Sequence, residues 1–155
     1  MNLREKINAD FITAMKEKNQ HAKSALSSVK AEITKAEKAD KSWEATDDNV
    51  IKIVNKSIKS REDSIKMFRG ADRPDLADIE IAEKVVLERY MPEKMTEQEV
   101  TDALTEIIQG FAGVITNSQA LQGRTIGEFN KRYNGRSDIG TIKMVLAKLL
   151  ENKTK

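Results

Sequence analysis

Cysteine is absent from this chain of 155 residues, histidine occurs once, and there are two prolines, seven glycines and one tryptophan. Each shortage excludes something. Without cysteine, neither disulfides nor thiolate metal sites can hold the fold together. The single histidine, His21, has no cysteine or second histidine with which to share a metal, so it reads as a surface or turn residue and no metal is expected. No apolar run approaches the roughly 18 residues of a membrane span, and the N-terminus has no secretory apolar segment; a cytoplasmic protein without a membrane partner is expected. No Walker loop, strand-flanked GxGxxG or GxSxG appears, so no cofactor is assigned. Carboxylates are plentiful, but they recur at i, i+3 and i+4 among lysines, the pattern of solvated helix faces, and none is assigned a catalytic role.

What is present favours helix. Alanine, glutamate, lysine, isoleucine and leucine dominate, while the turn formers that punctuate β proteins are few. Apolar residues make up 39% and charged residues 34%, a balance that suits soluble helices apolar on one side only.

The stretch that organises the chain is Tyr90-Met91-Pro92-Glu93-Lys94-Met95-Thr96-Glu97-Gln98-Glu99-Val100. Pro92 has no backbone N–H and pushes Met91 out of the α region, so an arriving helix stops there. Thr96 and Glu99 have the spacing of a capping box, and Met95 and Val100 that of a hydrophobic staple. A stop and a fully specified start in so little chain predict a joint between two helical bodies at residues 91–95.

Before the joint, Leu3, Ile7, Phe11, Ala14 and Met15 predict a helix over about 2–18, with Lys18-Asn19-Gln20 as the turn. Ala22, Leu26, Val29, Ile33 and Ala36 predict a second helix over about 21–40. The connection from Asp40 to Asp48 holds Trp43 and offers Thr46, Asp47 and Asp48 as N-caps for a third helix near 47–69, with Val50, Val54, Ile58, Ile65 and Phe68 on one side. Gly70 suits the C′ position of that helix and Pro74 the N1 position of a fourth. The fourth helix is expected to bury Leu76, Ile79, Val86, Leu87 and Tyr90 and to turn its acids outward.

After the joint, Val100, Leu104, Ile107, Ile108 and Phe111 mark a fifth helix, loosened at its end by Gly110 and Gly113. A sixth runs to Tyr133 and is closed by Asn134-Gly135. Asn117 or Ser118 caps it as a long helix, or Thr125 and Glu128 box it as a short one; the sequence leaves both open. Ser137 or Asp138 caps a last helix whose Ile139, Ile142, Val145, Leu146 and Leu149 face inward. The expected fold is all-α: an N-terminal four-helix body over 1–92 and a C-terminal three-helix bundle over 96–152.

Charge is segregated along this plan. Residues 72–106 carry eleven acids against four bases, and residues 122–155 carry eight bases against three acids. That asymmetry points to a polyanionic partner for the C-terminal part, against the simpler reading of solvated faces and a lysine-rich tail. The informative patch is the sixth helix. At about 100° per residue, Ile126, Phe129 and Tyr133 form its buried side, while Gly127, Lys131 and Arg124 point away, flanked by Arg132 and Gly123. Glycines facing solvent sacrifice about 1 kcal/mol each relative to alanine, but leave the helix backbone bare among cations, where a sugar-phosphate chain can approach closely. The alternatives are that Gly123 ends a loop before Thr125, or that Gly127 admits a neighbouring helix.

With these stretches assembled, the sequence resembles the GatB/YqeY family: stand-alone YqeY-like proteins and the C-terminal tail of the GatB subunit of tRNA-dependent amidotransferases. Lys59-Ser60-Arg61-Glu62-Asp63-Ser64-Ile65 followed by Phe68 is similar to the family's K-Q-R-x-D-S-I-x-x-F, and Arg73-Pro74-Asp75-Leu76 to its R-x-D-L. Ala82-Glu83, Val86-Leu87, Tyr90-Met91-Pro92 and Thr96-Glu97-Gln98-Glu99 resemble the run ending Y-L-P-x-x-[LM]-[ST]-E-x-E. Gly123, Gly127 and Gly135-Arg136-Ser137-Asp138 fall where the family has G-x-x-x-G and G-R-A-D-G. The match runs from about residue 3 to 150. Asp72 replaces a frequent glycine, Ser27 stands where arginine is common, and Ile139 replaces the last glycine of G-R-A-D-G, which is expected to stiffen that turn.

The resemblance implies a four-helix body plus a three-helix body, and a tail-like part that touches tRNA. With the reading of the sixth helix, the expected function is a non-catalytic RNA-binding module using the surface around Gly123, Arg124, Gly127, Lys131, Arg132 and Arg136. A second reading is a protein-interaction adaptor whose acidic fourth helix, or the cleft between the two expected bodies, docks a partner such as an aminoacyl-tRNA synthetase or amidotransferase component. A carbon–nitrogen ligase label with glutamine as amido donor would be inherited from the larger enzyme, since no residue here matches its catalytic sites.

Overall fold

A computed structural model describes residues 1–153. Among the described residues the chain forms seven helices and no strand, as the all-α expectation required: α1 (Leu3–Lys16), α2 (Gln20–Ala39), α3 (Asp47–Gly70), α4 (Pro74–Glu88), α5 (Glu97–Phe111), α6 (Ser118–Arg132) and α7 (Ile139–Lys153). None of them is long and apolar enough to cross a membrane. The chain divides into two compact units, Met1–Met91 and the residues from Pro92 onward. Lys155, one of the C-terminal bases, lies outside the described residues.

In the N-terminal unit α2 packs against each of the other three helices, and the most extensive pairing is α3 on α4. Ile7, Leu26, Val29, Val50, Val54 and Leu87 are almost wholly withdrawn from solvent at its centre. Each such side chain contributes roughly 1.5–3 kcal/mol relative to exposure. The helix starts are set by caps. Asn2 accepts from the Glu5 N–H at 2.9 Å, Asn19 from Ala22 at 3.1 Å, and Thr46 from Asn49 at 3.2 Å, so Thr46 is the cap among the three candidates before α3. α4 has no side-chain cap, and Pro74 at its N1 position lacks the N–H that would need one.

The helix ends differ from expectation at one residue. Gly70 was expected outside α3 at C′, but it is the last helical residue, and Asp72 takes the left-handed position with φ +57°. The Asp72 N–H donates to the Arg69 carbonyl and the Arg73 N–H to the Phe68 carbonyl, the paired bonds of a Schellman motif. α1 ends the same way on Lys18, φ +56°, with Asn19 donating to Ala14 and Lys18 to Met15. Aspartate tolerates this backbone because its short polar side chain bonds locally; lysine has no such compensation. The family glycine that Asp72 replaces therefore stood at a position where glycine is conformationally favoured.

Three further expectations are corrected. Met15 and Ile79 are nearly half-exposed rather than inward, because the α1 and α4 surfaces that meet their neighbours are narrower than their apolar stripes. Glu83, expected on a solvated acidic face, is buried instead. Its side chain is 10% exposed, with Oε2 3.4 Å from Nη2 of Arg61, itself 12% exposed. At the end of this unit the Tyr90 hydroxyl donates to the Asp10 carboxylate and Lys6 lies 5.6 Å from the ring centroid. Burial, then the bond to Asp10, raises the Tyr90 phenol well above its ordinary value.

The C-terminal unit is built on α5, against which α6 and α7 both pack. The capping box forms as expected: Thr96 Oγ1 accepts from the Glu99 N–H at 3.1 Å, and Glu99 Oε1 from the Thr96 N–H at 3.2 Å. Met95 and Val100 join the same core, which holds Leu104, Ile107, Phe129, Ile142 and Val145. Asn117 caps α6 through the Ala120 N–H at 3.0 Å, which resolves the open alternative in favour of the long helix. Thr125 is fully buried in mid-helix and caps nothing. Gly135, φ +75°, closes the turn that follows. Asp138 Oδ1 then accepts from the Thr141 N–H at 2.7 Å to start α7. Ile139 was expected to face inward but is 39% exposed, since as the first residue of α7 it lies a turn ahead of the buried stripe Ile142, Val145 and Leu146. It keeps a negative φ, so the β-branched side chain strains nothing there.

Two outcomes follow for stability. Lys18→Gly should raise the melting temperature of the N-terminal unit, by about 1 kcal/mol in free energy, because it relieves a left-handed lysine; a lower melting temperature would contradict the assigned backbone. Thr96→Ala should cost about 1 kcal/mol and Thr96→Ser almost nothing. The Thr96 N–H holds the Glu99 carboxyl below its usual range, and the Thr141 N–H does the same for Asp138. Groups depressed in the folded state contribute stability that is complete above the unfolded carboxylate range and lost as pH falls through the lower folded values. Acid titration of the melting curve should therefore show the C-terminal unit weakening only below that range.

Candidate nucleic-acid interface

α6 presents its two faces as the periodicity predicts. Thr125 and Phe129 are buried, Ile126 and Tyr133 half-buried, and the Phe129 and Tyr133 rings meet at 5.1 Å between centroids. On the opposite face Gly123, Arg124, Gly127 and Lys131 are all exposed. A Cβ built on Gly123 or Gly127 meets no atom within 4 Å. Neither glycine therefore admits a neighbouring helix, and Gly123 ends no loop, since it lies in the middle of α6. A strip of bare helical backbone is left open, with Arg124 and Lys131 beside it.

The six residues singled out from the sequence are not equivalent. Arg124 and Lys131 make no ion pair with another described residue. Arg132 is exposed but paired, its Nε donating to Glu128 Oε1 at 2.9 Å one turn earlier. Arg136 is half-buried and ties the unit together. Its Nε donates to the Glu93 carbonyl at 3.0 Å, and its own carbonyl accepts from the Met95 N–H at 2.8 Å. Its side chain thus braces the chain leading into α5, and its charge helps hold the Glu99 carboxyl low. Asn130, three residues beyond Gly127 on the same exposed arc, was not read from the sequence, although the i, i+3 spacing was there to find it.

No group of three or more histidine, cysteine, aspartate or glutamate side chains that could hold a metal occurs among the described residues. What the face offers is exposed helical backbone at Gly123 and Gly127 with the cationic side chains of Arg124 and Lys131 beside it.

A small all-helical protein of two compact units is the class these features define. Over residues 4–150 the chain matches the family described as Yqey-like protein, and it belongs to that family. It is similar to a protein of Pyrenophora tritici-repentis named "Altered inheritance of mitochondria protein 41, mitochondrial", 31% identical over 82% of this chain and 71% of that one. It is also similar to an uncharacterised protein of Schizosaccharomyces pombe, 34% identical over 59% of this chain and 74% of the relative.

Gly127→Leu should leave the melting temperature unchanged or raise it by up to about 1 kcal/mol in free energy, since leucine is the better helix former and enters open space. A loss of roughly 1–3 kcal/mol would instead mean an overpacked contact at that face.

Proposed function

We propose that this chain is a non-catalytic RNA-binding module, with tRNA as its ligand, and that the exposed face of α6 is the contact surface. The observation that carries this reading is the bare backbone at Gly123 and Gly127, with Arg124 and Lys131 beside it making no ion pair among the described residues. A helix face that forgoes side chains gains nothing in its own unit, but it lets a phosphate chain reach van der Waals contact while the two cations displace condensed counterions. Arg132 can exchange Glu128 for a phosphate at small cost, because exposed i, i+4 pairs contribute only about 0.3–0.5 kcal/mol. Arg136 contributes mainly by holding the turn. The cytoplasm is the proposed setting, and fractionation of the native host tests it.

The adaptor reading has one observation in its favour: Ile79 and Val85 are nearly half-exposed on α4 beside the acids Asp75, Asp78 and Glu88. Capture of a synthetase or amidotransferase component that is lost in Val85→Asp, with no RNA retained, would support it over RNA binding.

The test is a titration of labelled tRNA at two salt concentrations. Binding should weaken steeply with salt; Gly127→Leu should abolish it while the fold persists; and Lys131→Ala should reduce affinity and flatten the salt dependence by about one phosphate contact. Salt-independent binding, or full affinity in Gly127→Leu, would refute the proposal.

A further inference from the structure

The segment from Lys56 to Arg61 overlaps the best-matched motif of the chain, yet the RNA reading makes no use of it. It forms one wall of a cleft of about 540 Å³ between α2 and α3, inside the N-terminal unit and within the size range of small-molecule sites. α2 contributes Ser28, Glu32 and Lys35, spaced i, i+4 and i+7 on one face, and α3 contributes Lys56, Ser57, Ser60 and Arg61. Ala36 and Ile53 supply apolar wall between them. Three cations thus line the cleft beside the carboxylate of Glu32, and Glu83, which is not part of the lining, partly offsets the charge of Arg61.

Arg61 is the unusual member. A guanidinium has five N–H donors in a fixed fork. Here Nη1 donates to Ser57 Oγ at 2.7 Å and, at the long distance of 3.5 Å, to the Ser57 carbonyl. Nη2 meets Glu83 only as an ion pair at 3.4 Å, and the buried Nε has no acceptor among the described residues. Withdrawing so much of a guanidinium from water with so few acceptors is costly unless a further anion completes it. Glu83 and Ser57 hold the head group in place beforehand, so a ligand does not have to order it.

We propose that this cleft binds a small phosphate monoester, its phosphoryl group between Arg61, Lys35 and Lys56 and its organic body against Ala36 and Ile53. A carboxylate is satisfied by one guanidinium fork. Three cations and the hydroxyls of Ser28, Ser57 and Ser60 match three phosphoryl oxygens carrying up to two charges. A polynucleotide phosphate, flanked on both sides by sugars, fits this recess less well than a terminal one.

The probe is phenyl phosphate, followed by amide chemical shifts in the full chain, with phenylacetate as the planar monoanion of similar body. Phenyl phosphate should saturate, with shifts confined to residues 28–39 and 53–61, and phenylacetate should bind about tenfold more weakly. The double variant Lys35→Gln/Lys56→Gln changes only exposed side chains, so its melting temperature should hold while phenyl phosphate affinity falls by roughly tenfold or more. Unsaturable shifts, shifts spread over all surface lysines, equal binding of phenylacetate, or an indifferent double variant would each overturn the proposal. So would loss of tRNA affinity in that variant without phenyl phosphate binding, which would make the cleft an RNA contact. Unchanged tRNA binding beside weakened phenyl phosphate binding separates this site from the α6 face and leaves the two readings to stand or fall independently.

Discussion

The fold depends first on how the free N–H groups at helix starts are satisfied. With no covalent cross-link available, nothing but hydrogen bonding and packing decides where each helix begins. Asn2, Asn19, Thr46, Thr96, Asn117 and Asp138 each accept from a backbone N–H three residues on, and Pro74 leaves one N–H fewer to satisfy at the remaining start. These residues fix where each helix begins, and the apolar stripe along it then decides which side chains reach a core and which remain in water. In α6 Asn117 sets the start, and burial of Thr125 and Phe129 leaves Gly123 and Gly127 on the outer side.

Local signals of this kind are why so much was legible in the sequence. Caps, a proline stop and a 3.6-residue apolar period all act within a few residues, so the helices fell close to their expected bounds and the two faces of α6 were assigned correctly. What escaped depends on neighbours. Ile79, Met15 and Ile139 have the right type and spacing for burial, but whether a stripe is covered along its whole width is decided by the helix opposite. Glu83 sits among acids that face water, and only its position opposite Arg61 distinguishes it. The left-handed role passed from Gly70 to Asp72 because α3 continues through Gly70 and Ala71 takes the C-cap, a shift too small for propensity to resolve.

The candidate site shows the same division. That Gly127 faces outward followed from periodicity, whereas the engagement of Arg136 with the Glu93 carbonyl did not, because the two positions are 43 residues apart in sequence. A count of basic residues treats Arg124 and Arg136 alike. Among the described residues the first makes no ion pair, while the second braces the chain at Glu93.

The bond between Tyr90 and Asp10 has a mechanical consequence. Tyr90 is nearly the last residue of the N-terminal unit, and Asp10 lies in its first helix. A pull on the chain at Pro92 would not simply unzip α4 from its free end. The load would pass through the buried ring and hydroxyl of Tyr90 into α1, so that two distant stretches of sequence share it. Where such a tether lies in parallel with the apolar contacts of Leu87 and Ile7, the contacts must yield together rather than in succession. The N-terminal unit is thereby fastened to its own first helix at the point where the chain leaves it.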